Sequence, residues 1–315
     1  MNSFFTPVPK AKIPNKEALK LVFLDKLPKK VTAKQLANHL CTYEEAVCSF
    51  IDLCRGESKR GMLISLLFNP HRLDTRTCGA PSVVEAWGTK EGFRKGLSRM
   101  MSYDAHKGGL HPRYVMYHAI QVGVNGISCP TEFPPNVARD HFKSFGASRI
   151  LDPCAGWGGR MIGAASLGAY YEGWEPSTRT FDGLNRLGTW LKKFETGFDF
   201  KLHCQPFEDA HVKGKFDLAY TSPPYYDTEH YAPDEATNSM NRYKTFDAWL
   251  EGFYLPMVDK ALRASGRFCL NVGCRKYDLL SPLKEFGFRE IPTRLGGRAG
   301  LGKKSEGKES FYLIQ

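Results

Sequence analysis

The chain has 315 residues, 42% of them hydrophobic, enough for one large α/β domain and a smaller one with a sizeable core. No stretch approaches the ~18 continuous apolar residues of a membrane span, the opening MNSFFTPVPK lacks a signal-peptide core, and nine cysteines without a paired C-x-x-C argue against a disulfide framework or zinc ribbon, so a soluble, cytoplasmic, metal-free protein is expected. A net charge of +11 favours a polyanionic partner, with nucleic acid the commonest for such a protein.

Residues 1–34 carry eight lysines against Glu17 and Asp25, beginning with a basic tail over residues 1–14. Ala18, Leu19, Leu21, Val22 and Leu24 recur at helical spacing from Lys16 to Leu27, and Pro28 ends the run. Thr32 is a good N-cap for AKQLANHL, a break falls at Cys41 and Thr42, and Tyr43 to Cys54 restarts as a helix. Ala37, Leu40, Val47 and Phe50 sit where two short helices could touch across an abrupt turn. With Gly61 to Phe68 as a β-wing, residues 15–70 resemble a winged helix-turn-helix domain. Two features depart from that pattern: Cys41 stands where glycine is usual, and Glu44 and Glu45 open the recognition helix, where they repel phosphates.

Residues 71–130 read as a helical connector. Glu91 to His118 places Arg94, Lys95, Arg99 and Lys107 beside Met100, Met101 and Tyr103, a composition shared by a nucleic-acid contact and a solvated helix face. Thr131 to Phe145 is a proline-bounded segment and a helix that feed the next strand.

That strand, SRILDPCAGWGGRMIGAASL, organises the rest. Ile150 and Leu151 are its apolar run, Asp152 and Pro153 end it, Gly156, Gly158 and Gly159 form a tight turn, and a helix follows from Arg160. Glycines let backbone approach a ligand closely, and the helix start presents free N–H groups to the same place. Met161 stands where a dinucleotide fingerprint would have its third glycine or alanine, which weakens an NAD or FAD reading. Strand and helix then alternate, predicting a mainly parallel sheet with helices on both faces. Tyr170 to Trp174 is the second strand, ending at Glu175, and Thr178 to Phe194 the next helix. Phe198 to Phe207 is the third strand, followed by Glu208 and Asp209, and Lys215 to Tyr220 is the fourth. Phe246 to Arg263 reads as one long helix, Arg267 to Val272 as a buried strand, Leu279 to Phe286 as a helix, and Arg289 to Leu295 with Ser310 to Ile314 as closing strands around a basic glycine-rich loop, residues 296–308.

The fourth strand runs into Thr221-Ser222-Pro223-Pro224-Tyr225-Tyr226, about seventy residues beyond Asp152. This motif and the glycine loop together resemble the class I S-adenosylmethionine-dependent DNA amino-methyltransferases over residues 131–315. The resemblance implies a Rossmann-like fold with S-adenosylmethionine as cofactor. It implies that Asp152, Pro153, Gly156, Gly158 and Gly159 cradle the cofactor and that Phe133, with Pro134 and Pro135, closes over its methionine end. Glu175 would accept the two vicinal ribose hydroxyls, which suits a carboxylate with two acceptor oxygens, and Glu208, Asp209 or Gln205 would receive the adenine amine.

An exocyclic amine is a poor nucleophile because its lone pair is delocalised. Ser222 and the Pro223 carbonyl would hold its N–H bonds and aim the lone pair at the methyl, Pro223 and Pro224 would stiffen that backbone, and Tyr225 would stack on a flipped base. Serine in the first position resembles the N4-cytosine enzymes. N6-adenine DNA methylation and RNA base N-methylation remain open, as does a DNA-binding regulator with a vestigial domain. No Pro-Cys follows the fourth strand, which argues against ring-carbon methylation, and Cys154 reads as a packing residue. Asp227, Glu229, His230 and Tyr231 continue into a polar aromatic loop near the base, with His230 open as a general base.

Overall fold

The computed structural model describes residues 30–57, 61, 63–76, 81–87, 130, 132–227, 234–273, 276–292 and 310–315. The basic tail, the helix expected over Lys16 to Leu27, the basic helix over Glu91 to His118, Glu229, His230 and Tyr231, and the glycine-rich loop at 296–308 lie outside them. Contacts divide the chain into two units, Met1–Thr42 with Pro70–Thr131, and Tyr43–Asn69 with Glu132–Gln315. Among the described residues, no helix is long and apolar enough to cross a membrane.

In the first unit, α1 (Ala33–Leu40) starts as its sequence requires. The Thr32 hydroxyl accepts from the Gln35 N–H at 3.2 Å, and the Gln35 side chain accepts from the Thr32 N–H at 2.9 Å, so two orphan donors are satisfied reciprocally. Leu36, Ala37 and Leu40 are buried, and α1 packs on the 3₁₀ turn Pro70–Leu73.

The second unit begins with α2 (Tyr43–Arg55) and α3 (Ile64–Phe68). The segment expected to be a β-wing is therefore helical. Its run Ile64-Ser65-Leu66 is buried without alternation, a pattern that fits a short buried helix as well as a strand. Burial by a helix rather than pairing with a strand decides it. The apolar side of α2 is also committed: Phe50 packs on Trp190 and Phe194, with ring centroids 5.9 and 4.6 Å apart.

A seven-stranded sheet follows. Its strands are β1 (Arg149–Asp152), β2 (Tyr170–Trp174), β3 (Asp199–His203), β4 (Leu218–Thr221), β5 (Phe268–Val272), β6 (Phe288–Ile291) and β7 (Ser310–Ile314), in the order β3-β2-β1-β4-β5-β7-β6. Strands β3 to β5 in that order are parallel, with Ile150 paired to Tyr171 on one side and Leu218 on the other, while β7 is antiparallel to β5 and β6. This is the Rossmann-like, mainly parallel sheet that the resemblance implied.

The first unit also holds α4 (Val83–Trp87), and the helices of the second unit are α5 (Pro135–Ser144), α6 (Gly159–Ala165), α7 (Thr178–Lys192), α8 (Ser239–Arg242), α9 (Phe246–Trp249) and α10 (Leu255–Ser265). Successive strand residues face opposite ways. Tyr220 thus meets Phe142 of α5 and Phe311, while Ala219 joins the core built by Met257, Val258 and Ala261 of α10, so both faces are covered.

Three boundaries differ from the sequence reading. The third strand stops at His203, because Pro206 and a 3₁₀ turn over Phe207–Asp209 take the chain off the sheet. The expected helix from Phe246 is interrupted by one π turn, Leu250–Tyr254. Ser281–Phe286 is a 3₁₀ turn opened by Pro282, not an α-helix.

Candidate functional site

β1 lies between β2 and β4, so the chain leaves the sheet in opposite directions on its two sides. In such sheets ligands bind outside the carboxyl ends of the strands at this switch point. The glycine loop after β1 and the Ser222-Pro223-Pro224-Tyr225 segment after β4 both emerge there.

Asp152, at the end of β1, is completely buried and joins the two. Its Oδ1 accepts from Thr221 Oγ1 at 2.8 Å and from the Cys154 N–H at 3.2 Å. Its Oδ2 accepts from Tyr171 Oη and Arg160 Nε, each at 2.6 Å. The carboxylate therefore ties the glycine loop to the residue before Ser222. Arg160 completes the arrangement: it also donates to the Cys154 carbonyl and lies 5.3 Å from the Phe133 ring. Sequence reading took Arg160 only as the start of a helix. The signal it carries is its sign, since a cation in the first turn opposes the helix dipole and needs a local anion. Cys154 packs 3.8 Å from the Met257 sulfur, and burial pushes its thiol well above the ordinary range, which suits a packing residue.

The glycines have separate reasons. Gly158 has φ +98°, and a Cβ there would press on Leu187 and Leu184 of α7 at 2.6 and 2.9 Å. Gly159 lies under the preceding segment, where a Cβ would run into the Phe133 carbonyl oxygen. Gly156 has φ +56° and meets nothing nearer than the Cys154 carbonyl oxygen at 3.8 Å, so its open side is a cradle that a side chain would fill. Pro153 is buried between them. Phe133 stands edge-on to Tyr220 at 5.6 Å and to Phe311 at 5.9 Å.

Glu175 closes the loop from β2. Its Oε2 accepts from the Gly156 N–H at 3.1 Å and its Oε1 from the Ser177 N–H at 2.9 Å. Burial pushes its carboxyl up to about 7, against the opposite pull of those two donors. Each oxygen keeps one acceptor direction, which fits a pair of vicinal hydroxyls.

Glu208 and Asp209 are engaged by a residue that sequence reading missed. Arg242 of α8 donates to Glu208 Oε1 at 2.8 Å and to Asp209 Oδ1 at 2.9 Å. Tyr243 Oη adds a 3.3 Å bond to Glu208, whose carboxyl is pushed up chiefly by burial. From below, Lys260 of α10 donates to the carbonyls of Phe207, Glu208 and Ala210 at 3.1, 2.7 and 2.7 Å. The same strap reaches β2, with Ser177 Oγ donating to Glu235 at 2.9 Å and Thr237 Oγ1 to the Pro176 carbonyl at 3.2 Å. Residues 235–243 thus lie across the carboxyl ends of β2 and β3. Their spacing after the catalytic motif carries no recognisable pattern, so only tertiary contact reveals them.

In the segment after β4, Thr221 and Pro223 are buried, while Ser222, Pro224 and Tyr225 are half-buried. Tyr225 packs against the core beside α10. Tyr226 follows with φ +45°, and its hydroxyl donates to the Lys244 carbonyl at 2.8 Å. The structure therefore brings together Asp152, Gly156, Glu175 and the start of the motif. Glu208 and Asp209 are tied to Arg242, and Glu208 lies close enough to the glycine loop to help raise the Cys154 thiol.

No family model matches the chain. No curated protein matches it. Among solved structures it is similar to magnesium protoporphyrin IX methyltransferase (ChlM) from Synechocystis PCC 6803 with bound SAM, at 12% identity and TM-score 0.40, over 74% of this chain and 95% of that one. It is similar to an rRNA methylase from Streptococcus thermophilus at 11% identity and TM-score 0.36, over 59% and 98% of the two chains. TrmN from Thermus thermophilus matches at 16% identity and TM-score 0.37, over 58% of this chain and 49% of its own. The fold is read from the strand order and the glycine loop after β1, a mainly parallel Rossmann-like sheet, rather than from these superpositions.

Proposed function

We propose that the chain is an S-adenosylmethionine-dependent methyltransferase acting on an exocyclic amine of a DNA base, N4 of cytosine. The observation that carries the reading is the Asp152 carboxylate, which hydrogen-bonds both the glycine loop and Thr221, the residue before Ser222. A cofactor cradle and an amine-binding motif thereby share one crevice. The open side of Gly156 and the acceptor pair of Glu175 fit a nucleoside with free ribose hydroxyls. When bound, the cofactor supplies an electrophilic methyl on a sulfonium sulfur. Ser222 Oγ and the Pro223 carbonyl accept the two N–H bonds of the amine and direct its lone pair. The bound cofactor would supply the methyl group and depart as S-adenosylhomocysteine, and water would take the proton that the amine nitrogen loses. No covalent enzyme intermediate is required. Serine at position 222 favours cytosine through its resemblance to the N4 enzymes, and sequence recognition falls to residues 1–130 with the loops after Tyr226 and Leu295.

The test incubates the protein with methyl-labelled cofactor and double-stranded DNA, single-stranded DNA or RNA, followed by nucleoside mass spectrometry. N4-methylcytosine is expected. N6-methyladenine would overturn the base assignment, and label confined to RNA would overturn the choice of DNA. Ser222→Ala is expected to lower transfer by about 100-fold or more while S-adenosylhomocysteine still binds; unchanged activity removes Ser222 from the mechanism.

A further inference from the structure

The turn after β3 carries two adjacent carboxylates that the strap over residues 235–243 treats differently. Asp209 has 51% of its side chain exposed and gives both oxygens to one guanidinium: Arg242 Nη2 donates to Oδ1 at 2.9 Å, and Nη1 lies 2.8 Å from Oδ2. Glu208 has 5% of its side chain exposed, and both of its bonds from the strap fall on Oε1, from Arg242 Nη1 at 2.8 Å and from Tyr243 Oη at 3.3 Å. The Tyr243 hydroxyl has a single hydrogen and lies nearer the Gly252 carbonyl, at 2.8 Å, so Arg242 is the principal donor to Glu208. Neither bond reaches Oε2.

Glu208 stands on the glycine-loop side of the turn, because its charge joins those of Asp152 and Glu175 in pushing up the Cys154 thiol. The turn is held from below by Lys260, which donates to the carbonyls of Phe207, Glu208 and Ala210. The strap is held from the Glu175 side, where Ser177 donates to Glu235 and Thr237 to the Pro176 carbonyl, and Asn241 Nδ2 closes it on itself by donating to the Glu235 carbonyl at 2.8 Å. An arginine that only fastened the strap would be served by the exposed Asp209 alone. Reaching a buried carboxylate as well costs desolvation, and burying an ionised carboxylate is favourable only when donors fill both of its oxygens.

We propose that Arg242 is a positioning residue for the cofactor: anchored on Asp209, it holds Glu208 by Oε1 and leaves Oε2 as the acceptor for the 6-amino group of the cofactor's adenine. Residues 235–243 thus wall the adenine end of the crevice, and Asp209 contacts no ligand. This rests on the methyltransferase reading given above.

The test measures, by calorimetry on the full-length protein, the affinity for S-adenosylhomocysteine and for its purine analogue, in which hydrogen replaces the 6-amino group. The wild type is expected to prefer S-adenosylhomocysteine by about tenfold or more, because the analogue leaves a buried acceptor without its donor. Arg242→Ala is expected to reduce that preference to about threefold or less while the affinity for the analogue changes little. Arg242→Lys restores only part of it, since one ammonium does not span both carboxylates as a planar fork does. Asp209→Asn, at a half-exposed side chain, shifts the preference in the same direction and serves in its place if Arg242→Ala does not fold. Equal weakening of both ligands in Arg242→Ala and in Asp209→Asn, with the preference kept, would make Arg242 a fastening of the strap only and overturn the proposal, leaving the methyltransferase reading standing. A wild type that binds both ligands alike overturns the Glu208 seat and the role of Arg242 with it. A wild type that binds neither removes the methyltransferase reading itself.

Discussion

Glu175 and Asp152 show how two carboxylates that bond to one loop divide its work. Asp152 has its oxygens filled by Thr221, Tyr171, Arg160 and the Cys154 N–H, so it holds the site's shape. Glu175 keeps acceptor capacity, and burial raises its carboxyl from the ordinary 4.5 to about 7. Folding therefore favours the protonated form. The contribution to stability is full below about pH 4.5 and declines as the pH rises to about 7. Glu175→Gln is expected to remove that decline, so that the variant gains on the wild type in denaturant titrations above pH 7 and loses the advantage near pH 5. On the proposed reading, ribose recognition would run the other way, because the ionised carboxylate is the better acceptor. Affinity for S-adenosylhomocysteine should rise roughly tenfold per pH unit up to about 7 and then level, and calorimetry on Glu175→Gln should give a flat profile.

Among the elements, the pair α5 and α6 sets how the Phe133 segment sits on the glycine loop. Gly163 lies one turn beyond Gly159 on the same face, and a Cβ there would meet the Pro135 carbonyl oxygen at 2.7 Å and the Ala138 Cβ at 2.8 Å. Backbone cannot move aside as a flexible side chain can. Gly163→Val is expected to cost about 1–3 kcal/mol by overpacking, read as a lower denaturation midpoint together with weaker cofactor binding. A midpoint unchanged from wild type would show that α5 can shift freely. The π turn at Leu250–Tyr254 is the other element that matters: the Tyr243 ring lies against Gly252, and its hydroxyl donates to the Gly252 carbonyl at 2.8 Å. A helical stripe of apolar residues looks the same with or without this extra residue in one turn, so the sequence shows a single helix.

For the whole molecule, the excess of positive charge is densest near the start of the sequence, where residues 1–34 carry eight lysines against Glu17 and Asp25. Six lysines precede residue 30, and removing residues 1–29 is expected to lower nucleic-acid affinity and flatten its dependence on salt, measured by titration at several ionic strengths, while cofactor affinity stays the same. An unchanged salt slope would dismiss that role. A cut at residue 70 is a different experiment, because α2 and α3 belong to the same unit as the sheet. It would uncover Trp190 and Phe194 and remove the Asn69 bond to the Trp157 carbonyl and the 2.5 Å bond from Ser65 to Glu132. The sequence by itself determined the parallel sheet, the glycine loop, Glu175 at the end of β2 and the Ser-Pro-Pro-Tyr turn after β4, because strand and helix periodicity, glycine chemistry and proline stiffness are local properties. Tertiary structure alone decided that residues 64–68 are a helix, that Arg242 and Lys260 clamp the loop after β3, and that Arg160 pairs with Asp152. Each of those depends on which distant side chain supplies the missing charge, hydrogen bond or apolar face, and no spacing along the chain records that.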